Sequence, residues 1–479
     1  MARPVALTTP RATSAAGGQY DDRVAQRPVT TRSLKIGIGG VRGVVGETFT
    51  PELAVEFAQA FATYAEGGPI LVSRDTRASG PMVAAAVTAG LMSAGCEVID
   101  LGICPTPTLQ LAIPWIGARG GIAISAGHNA SEWNALKFVR ADGRYLDIGQ
   151  ADELLDIYHQ GEFVKARWDR VPAGVTTRDA LAYHADRLVQ CVDADRVRAR
   201  RLRVALDCCN GASARLTPSW LESLACTVLT INDDLSAPFP HAPEPSRATA
   251  AQVAAVVRAG RADVGFVHDA DGERLAIVDE TGRTHSEELT LALAAAIALP
   301  RRVGPLVTNV STSATIDRVA ARFAAPVIRT PVGQAFITEA IETHGAVLGG
   351  EGNGGVVVPA VHLAHDAAAC MGLVLDHLAA SGEPLSALIE TLPALAMIKE
   401  VHPVEPNLLF TVLQNFRDDV QDADGIDVDL SDGVKVTWPD AWVHVRASNT
   451  ESLLRVIAEA DTPARARDVA DWARDRMRS

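Results

Sequence analysis

The chain has 479 residues, of which 48% are hydrophobic and 21% are charged, and its formal net charge is −14. This length predicts several domains, and the composition is typical of a soluble globular protein. The acidic balance, with no basic block in the body of the chain, argues against nucleic acid as a partner. A phosphorylated ligand would therefore need a local positive pocket.

The first 32 residues and the cysteines bear on where the protein works. Residues 1–32 are rich in Ala, Thr, Arg and Gly and lack the apolar centre of a secretory signal, so we expect a disordered extension. No apolar run approaches the length of a membrane span, which predicts that the membrane is not a partner. The seven cysteines include no C-x-x-C pair, which favours reduced thiols and a cytoplasmic protein.

Residues 33–160 alternate strand-like and helix-like patterns and predict a first α/β unit. Its opening, LKIGIGGVRG, places Arg42 beside a glycine turn, and on this evidence alone Arg42 is an ordinary surface arginine. ILVSRDTRASG predicts a strand, a turn and the start of a helix. We expect Arg74 and Arg77 in this turn to make structural pairs with Asp75 or with a neighbouring domain.

The stretch from residue 121 to residue 138, GIAISAGHNASEWNALKF, combines a buried strand with a polar loop. The apolar run that ends at Ser125 predicts the strand. The strand breaks into a loop in which Gly127 supplies backbone freedom. Because α/β sheets bind ligands at the carboxyl ends of their strands, a loop with His, Asn and Lys at this place indicates a ligand site.

This stretch resembles the active-site loop of the α-D-phosphohexomutases, the group of phosphomannomutase, phosphoglucomutase and phosphoglucosamine mutase. Their pattern is roughly T-A-S-H-N-P followed by N-x-x-K-F, and the serine before the histidine carries the phosphoryl group. Matching His128 and Asn129 puts Gly127 at the serine position and Ser125 on the family's threonine. Arg42 matches the arginine of the family's opening F-G-T-x-G-I-R-G. The resemblance implies a catalytic set of five residues: Arg42, Ser125, His128, Lys137 and Arg274.

Residues 161–282 predict a second unit, with an acidic loop between two buried strands in ADVGFVHDADGERLAIVDETG. Asp269, Asp271 and Glu273 alternate in this loop, and carboxylates that converge need a cation to offset their repulsion. An exposed acidic turn is the simpler alternative. The loop resembles the family's D-G-D-x-D-R, which implies Mg²⁺ as the cofactor and these three acids as its ligands. Glu273 departs from the pattern, because the family has Asp there.

Residues 283–395 predict a third unit, which contains GAVLGGEGNGGVVVP at 345–359. By itself this stretch is a glycine-rich hairpin that happens to contain a glutamate. It resembles the family's sugar-recognition loop, G-G-E-x-S/N-G. The resemblance implies that Glu351 and Asn353 bind sugar hydroxyls, with glycines that let the backbone approach the ligand.

Residues 396–479 predict a smaller α+β domain, which contains WVHVRASNTESLLRVIAEA. An arginine, hydroxyls, an amide and backbone N–H groups in one turn form a good anion site. The alternative is an N-capped turn with an exposed arginine. The stretch resembles the family's phosphate loop, R-P-S-N-T-E-P-x-x-R. The resemblance implies that the substrate phosphate is bound by Arg446, Ser448, Asn449, Thr450 and Arg455.

These four motifs, in family order, imply an α/β protein with three similar mixed α/β domains, a smaller C-terminal α+β domain and a central active-site cleft. The predicted domains are 33–160 with the catalytic loop, 161–282 with the metal loop, 283–395 with the sugar-recognition loop and 396–479 with the phosphate loop. The implied partner is a small sugar phosphate, bound by a monomer or a homodimer.

Gly127 leaves three functions open. In the first alternative, the protein is a mutase in which Ser125 or Ser131 carries the phosphoryl group after a loop shift. Alternatively, it is a sugar-phosphate phosphatase, or an enzyme of other sugar-phosphate chemistry, that uses no phosphoserine. In the third alternative, it binds a sugar phosphate without turnover. We rank the mutase-type enzyme first because of the family resemblance, an enzyme with changed phosphoryl chemistry close behind it, and the binding protein third.

Overall fold

The computed structural model describes residues 34–37, 39–405, 407–421, 425–447 and 453–477, all within one unit that spans 33–479. The predicted extension, residues 1–32, lies outside the described residues. Ser448, Asn449 and Thr450 of the predicted phosphate loop also lie outside them.

The first sheet forms because apolar strands are covered by helices on both faces. On β3, Ile70 and Val72 face one core and Leu71 faces the other, which explains its continuous apolar run. Seven strands pair in the order β1-β2-β6-β5-β3-β4-β7. The elements are β1 (Lys35–Gly37), β2 (Gly40–Val44), α1 (Pro51–Tyr64), β3 (Pro69–Arg74), α2 (Gly80–Ser93), β4 (Glu97–Ile103), α3 (Thr106–Ile116), β5 (Gly120–Ile124), β6 (Trp133–Arg140), α4 (Ile148–Gln160) and β7 (Thr176–Thr177).

The strand β7 lies beyond residue 160, where the sequence predicts the second unit to begin. It pairs in parallel with β4, and so extends the first sheet across the predicted boundary. The pairing is two residues long, from Thr176 to Thr177, and it carries no apolar signal in the sequence. Its place in the sheet follows from how the connecting segment packs.

The second unit contains a four-stranded sheet in the order β11-β10-β8-β9. The strands β8, β9 and β10 are parallel, and β11 pairs antiparallel with β10. The elements are α5 (Leu181–Gln190), α6 (Ala194–Arg200), β8 (Arg203–Asp207), a 3-10 helix (Ala212–Arg215), α7 (Thr217–Ser223), β9 (Thr227–Ile231), α8 (Ala251–Gly260), β10 (Val264–His268) and β11 (Leu275–Asp279).

The third unit repeats this arrangement with the order β13-β12-β14-β15. The strands β12, β13 and β14 are parallel, and β15 is antiparallel to β14. The elements are α9 (Glu288–Ala298), β12 (Leu306–Asn309), α10 (Thr315–Ala321), β13 (Val327–Thr330), α11 (Gln334–His344), β14 (Leu348–Gly350), β15 (Val356–Val357), α12 (Ala367–Ser381) and α13 (Leu385–Glu390).

The C-terminal unit is an antiparallel sheet in the order β16-β20-β19-β18-β17, with two helices that contribute to its core. This architecture agrees with the predicted smaller α+β domain. The elements are β16 (Ala396–Pro403), α14 (Leu409–Gln421), β17 (Asp427–Asp429), β18 (Val434–Trp438), β19 (Ala441–Ala447), β20 (Leu453–Ala460) and α15 (Pro463–Arg476).

The apolar cores show how these units are joined. The first and last units have apolar cores of their own. One further core joins the second and third units, with Trp220 and Leu375 among its residues, and it also includes Leu111 of α3. The seven cysteines are all free thiols, as the sequence predicts. Within the described residues, every helix is too short or too polar to cross a membrane.

Candidate active site

The three motif loops occupy the same position in the three repeated sheets. Each loop connects a parallel strand to the antiparallel strand beside it: β5 to β6, β10 to β11, and β14 to β15. The acidic loop contacts the other two units. The Thr106 N–H at the start of α3 donates to the Asp271 carbonyl at 2.9 Å, and the Leu275 N–H donates to the Gly354 carbonyl at 3.0 Å. The fold therefore brings together segments that are far apart in sequence.

The catalytic loop is held by a buried arginine. Arg77 is 3% exposed, and its guanidinium pairs with Asp75 at 2.9 Å, as the sequence predicts. The same guanidinium donates to four backbone carbonyls of the loop, those of Gly127, Asn129, Ala130 and Trp133, at 2.6–3.0 Å. Arg77 thus fixes the backbone conformation of the loop. The only feature of the sequence that points to this role of Arg77 is its position two residues after Asp75.

Gly127 adopts a left-handed backbone conformation with φ = +54°. A Cβ atom at this position would lie 3.5 Å from Asp271 Oδ1 and 3.7 Å from Lys137 Nζ, which is ordinary van der Waals contact. Position 127, which the motif match predicts to correspond to the family's serine, therefore faces the acidic loop. Side-chain space is available there, although the backbone conformation favours glycine.

Ser125 lies at the end of β5 and is 1% exposed. Its hydroxyl donates to Asp75 Oδ2 at 2.7 Å and accepts from the Gly127 N–H at 2.9 Å. Both hydrogen bonds would have to break before this oxygen could attack a phosphoryl group. Ser125 as the nucleophile stays a prediction, and this bonding disfavours it.

Lys137 lies between two acids of the metal loop. Its ammonium donates to Asp271 Oδ2 at 2.7 Å and to Glu273 Oε2 at 2.8 Å. The Thr106 hydroxyl donates to the same Asp271 oxygen at 2.9 Å, and the Tyr145 hydroxyl donates to Glu273 Oε1. Burial opposes ionisation of Asp271, yet the Lys137 ammonium holds the pKa of this carboxyl below its usual value. Thr106 and Tyr145 are partners that sequence reasoning missed.

The acidic loop fits a hard cation in part. Asp271 Oδ1 is buried and has no hydrogen-bond partner among the described residues. Asp269 Oδ1 accepts from the N–H groups of Glu273 and Arg274. Burial and the neighbouring Asp271 raise the pKa of Asp269 well above its ordinary value, so a cation there would relieve a real repulsion. Both Glu273 oxygens are engaged by Lys137 and Tyr145, and Glu273 as a ligand stays a prediction.

The predicted cations gather around the imidazole of His128. Burial lowers the pKa of His128 well below its usual value, and Arg274, Arg42, Lys137 and Arg455 lower it further. Burial likewise lowers the pKa of Arg42, with contributions from Arg274 and Arg455. Arg42 and Lys137 belong to the first predicted domain, Arg274 to the second and Arg455 to the fourth. This is the local positive pocket that an acidic chain needs to bind a phosphate.

The sugar-recognition loop begins with a buried carboxylate. Glu351 Oε1 accepts from Asn309 Nδ2 at 2.7 Å and from the Gly333 N–H at 3.0 Å. Glu351 Oε2 lies 3.3 Å from Asn353 Nδ2 and 3.9 Å from His365 Nε2. Oε1 is therefore held by Asn309 and the Gly333 backbone, whereas Oε2 lies beside the polar side chains of Asn353 and His365. Asn309 and His365 were missed because they lie outside the motif.

In the C-terminal unit, Arg446 on β19 lies directly opposite Arg455 on β20. Like charges directly opposite each other on neighbouring strands destabilise a sheet. An anion bound between the two arginines would offset this repulsion. Arg446 pairs with Asp432 at 3.2 Å, and the side chain of Arg455 is exposed. The structure brings Arg455 near Arg42, whereas the predicted donors between the two arginines lie outside the described residues.

Comparison with known proteins agrees with this arrangement. Four family models match the chain in order: the phosphoglucomutase/phosphomannomutase α/β/α domains I, II and III at residues 33–165, 182–282 and 285–395, and the C-terminal domain at 409–476. These models span the four units described above.

Individual relatives match over nearly their whole length. A probable phosphoglucosamine mutase of Methanopyrus kandleri is 35% identical over 91% of this chain and 96% of its own. A phosphoglucomutase/phosphomannomutase of Thermococcus kodakarensis is 34% identical over 90% and 96%. A crystal structure of a phosphoglucomutase/phosphomannomutase family protein from Burkholderia thailandensis superposes with a TM-score of 0.80 and 25% identity, covering 92% of this chain and 96% of the other. The chain belongs to the phosphoglucomutase/phosphomannomutase family, the α-D-phosphohexomutases.

Proposed function

We propose that the protein is a phosphohexomutase-type enzyme that binds a hexose or hexosamine phosphate where the motif loops meet. The observation that carries this proposal is the group of cations around His128 in a chain of net charge −14. Arg42, Arg274 and Arg455 place like charges around one imidazole, and a phosphate would supply the charge and the acceptor oxygens that offset their repulsion. The substrate class follows from the names of the relatives, which are mutases of glucosamine, glucose or mannose phosphates.

The two ends of the substrate would be recognised by different units. Glu351 Oε2 and Asn353 offer an acceptor and a donor to sugar hydroxyls, beside His365. Arg446 and Arg455, with the predicted donors Ser448, Asn449 and Thr450, would bind the phosphate that does not react. This division lets the sugar turn over while each loop keeps its role.

Magnesium is the proposed cofactor, held by Asp269 and Asp271, whose carboxylate oxygens suit a hard cation. When bound, it would neutralise negative charge on the phosphoryl group during transfer. The chain's own contribution beside it is Lys137, which pairs with Asp271 and Glu273 and holds the pKa of Asp271 below its usual value. Arg274 ends the same loop and would orient the reacting phosphate.

Gly127 limits this function, because it has no hydroxyl to carry the phosphoryl group. We expect mutase turnover to be at least about 10³-fold below that of serine-bearing relatives, a loss in the range seen when an enzyme nucleophile is removed. The mutase names of the relatives give no support to the phosphatase alternative. Phosphate release is therefore an outcome to be measured and is not proposed.

The test is interconversion of hexose 1- and 6-phosphates, started with a trace of hexose 1,6-bisphosphate and followed with release of inorganic phosphate. We expect little or no interconversion, and any that is measured should persist in Ser125→Ala within a few fold. Ser125→Ala should cost roughly 1–3 kcal/mol of stability, because Asp75 and the Gly127 N–H lose a buried partner.

The matched control is Ser93→Ala, whose hydroxyl also makes two hydrogen bonds but lies between α1 and α2, in helix packing. Loss of all interconversion in Ser125→Ala alone would make Ser125 the nucleophile. Phosphate release without interconversion would contradict the proposed mutase reaction.

A further inference from the structure

A second cluster of polar side chains lies outside the motif loops, between α5 and the start of α12. His184 Nε2 lies 2.8 Å from Asp366 Oδ2, and His362 Nε2 lies 3.0 Å from the same oxygen. His184 and Asp366 are 0% exposed. The three ligand atoms all lie within 4.8 Å of one another. Two imidazole nitrogens and one carboxylate oxygen thus converge in the interior of the protein.

The rest of this cluster holds the converging atoms in place. Asp366 is the N-cap of α12, and its other oxygen, Oδ1, accepts from the N–H groups of Ala368 and Ala369 at 3.0 and 3.1 Å. The Nδ1 atom of His184 lies 2.8 Å from the Thr108 hydroxyl. A hydroxyl can donate or accept, so this contact suits either tautomer of His184. The Nε2 lone pair can therefore be freed without breaking the outer hydrogen bond, as metal ligation requires.

The charges in this cluster also suit a divalent cation. The salt bridges of Asp366 among the described residues are made only with His184 and His362. The buried set offers two imidazole nitrogens and one carboxylate oxygen.

We propose that His184, His362 and Asp366 bind one Zn²⁺ ion. Tetrahedral zinc with bonds of about 2.0–2.1 Å holds its ligand atoms roughly 3.3 Å apart. The observed separations of 2.8 and 3.0 Å from Asp366 Oδ2 need shifts of a few tenths of an ångström, and the two imidazole nitrogens, which lie within 4.8 Å of each other, would adjust with them. A His₂Asp set favours zinc over magnesium, because imidazole is a poor ligand for magnesium. The side chain of His362, 11% exposed, marks the side from which the ion enters.

Zinc bound at this cluster would stabilise the structure around the candidate active site. It would join α5 to the first turn of α12, next to Thr108 on α3 of the first unit. The Ala367 N–H, one residue beyond Asp366, donates to the Gly272 carbonyl in the acidic loop at 3.1 Å. His365, one residue before, faces Glu351. The ion is therefore placed to stabilise the junction of the acidic and sugar-recognition loops without touching the substrate.

The test is titration of the chelator-treated, dialysed protein with Zn²⁺ by calorimetry, with thermal unfolding in parallel. We expect one zinc per chain, a raised melting temperature and no competition from millimolar Mg²⁺. His362→Ala should weaken zinc binding at least tenfold, since even the loss of outer-shell partners costs 10- to 100-fold. His285→Ala is the matched control, because His285 forms a single pair with Asp279 at 2.8 Å and has no second histidine. It should bind zinc as the unaltered protein does.

Co²⁺ provides a readout that needs no variant, because it has visible absorption bands that report four-coordinate nitrogen and oxygen ligation. The unaltered protein with one equivalent of Co²⁺ should show these bands, and one equivalent of Zn²⁺ should remove them. Asp269→Asn/Asp271→Asn should keep the bands, which separates this site from the acidic loop. Absence of a stoichiometric zinc site in the unaltered protein, or undiminished zinc affinity in His362→Ala, would overturn the proposal.

Discussion

Gly127 is the residue that sets this chain apart from the expected chemistry of its family, because it has no hydroxyl. The motif match aligns Gly127 with the family's serine, and a Cβ at this position would lie opposite Asp271 and Lys137. The surrounding machinery is intact, because Arg77 holds the loop and Lys137 balances the acids. The missing atom is a hydroxyl oxygen, and the nearest serine in sequence, Ser125, has its hydroxyl committed to Asp75 and to the loop backbone.

Gly127→Ser should raise phosphoenzyme formation from a hexose 1,6-bisphosphate. The added Cβ meets its neighbours at 3.5 Å or more, so the side chain fits. The left-handed conformation, φ = +54°, should cost roughly 1–2 kcal/mol and lower the melting temperature slightly. Intact-protein mass after incubation with the bisphosphate measures the transfer.

Gly345→Ser is the matched control for this experiment. Gly345 has φ = +59° and open space around its Cβ position, but it lies at the end of α11. It should show a similar loss of stability and no gain in phosphoenzyme. If Gly127→Ser folds but takes up no phosphoryl group, the surrounding site lacks the alignment that we infer.

At the scale of elements, one hairpin repeated three times builds most of the site. Each hairpin joins a buried parallel strand to the antiparallel strand beside it, and its loop lies at the carboxyl end of that parallel strand. We propose that the same position serves phosphoryl chemistry, cation binding and sugar recognition in the first, second and third units. Duplicated topology without a strict sequence repeat explains how each loop acquired its own residues.

Mg²⁺ should raise the melting temperature of the unaltered protein, and Asp269→Asn should abolish this shift. Asparagine keeps the oxygen that accepts from the Glu273 and Arg274 N–H groups and removes only the charge. Without Mg²⁺, Asp269→Asn should be at least as stable as the unaltered protein at pH 7, because burial and Asp271 disfavour the ionised carboxyl. Thermal unfolding with and without Mg²⁺ measures both effects.

Asp279→Asn is the control on the neighbouring strand β11. Asp279 also accepts from backbone N–H groups, those of Thr281 and Arg283, but it lies at the other end of the strand. It should keep the Mg²⁺-dependent shift. An equal shift in Asp269→Asn would mean that magnesium stabilises the protein from a different site.

At the scale of the whole molecule, the C-terminal unit is attached through a buried lysine. Lys435 on β18 is 7% exposed, and its ammonium donates to the Val310 carbonyl of the third unit at 2.7 Å. It also lies 4.3 Å from the centre of the Trp442 ring. Burial, with a smaller contribution from Arg329, lowers the pKa of Lys435 to about 7. The attachment of this unit is therefore sensitive to pH.

Stability should rise with pH between about 7 and 10.4, where the unfolded chain binds a proton that folded Lys435 has lost. The full shift corresponds to on the order of 4 kcal/mol across this range. Lys435→Met should remove the rise, whereas Lys165→Met, at an exposed position, should keep it. The melting temperature as a function of pH for the three proteins is the measurement. An unchanged slope in Lys435→Met would assign the rise to other groups.

Much of the architecture and the membership of the site could be predicted from sequence, because the signals are local. Apolar runs such as Val264–His268 predict buried strands. Gly127 and the glycines beside Glu351 predict loops that approach a ligand. The family resemblance and the fold class derived from these motifs are confirmed by the family models and by the repeated sheets. Each motif is a few residues long, so its chemistry can be read from one stretch.

What only the tertiary structure decided is how distant residues pair. Lys137 meets Asp271 across 134 positions, and His184 meets Asp366 across 182. The engagement of Ser125 by Asp75, and the addition of β7 to the first sheet, also depend on packing. These contacts leave no local pattern, because hydrogen bonds and ion pairs act over a few ångströms of space whatever the separation along the chain. The sequence by itself therefore determined which groups are present, and the fold decided which of them are free to react.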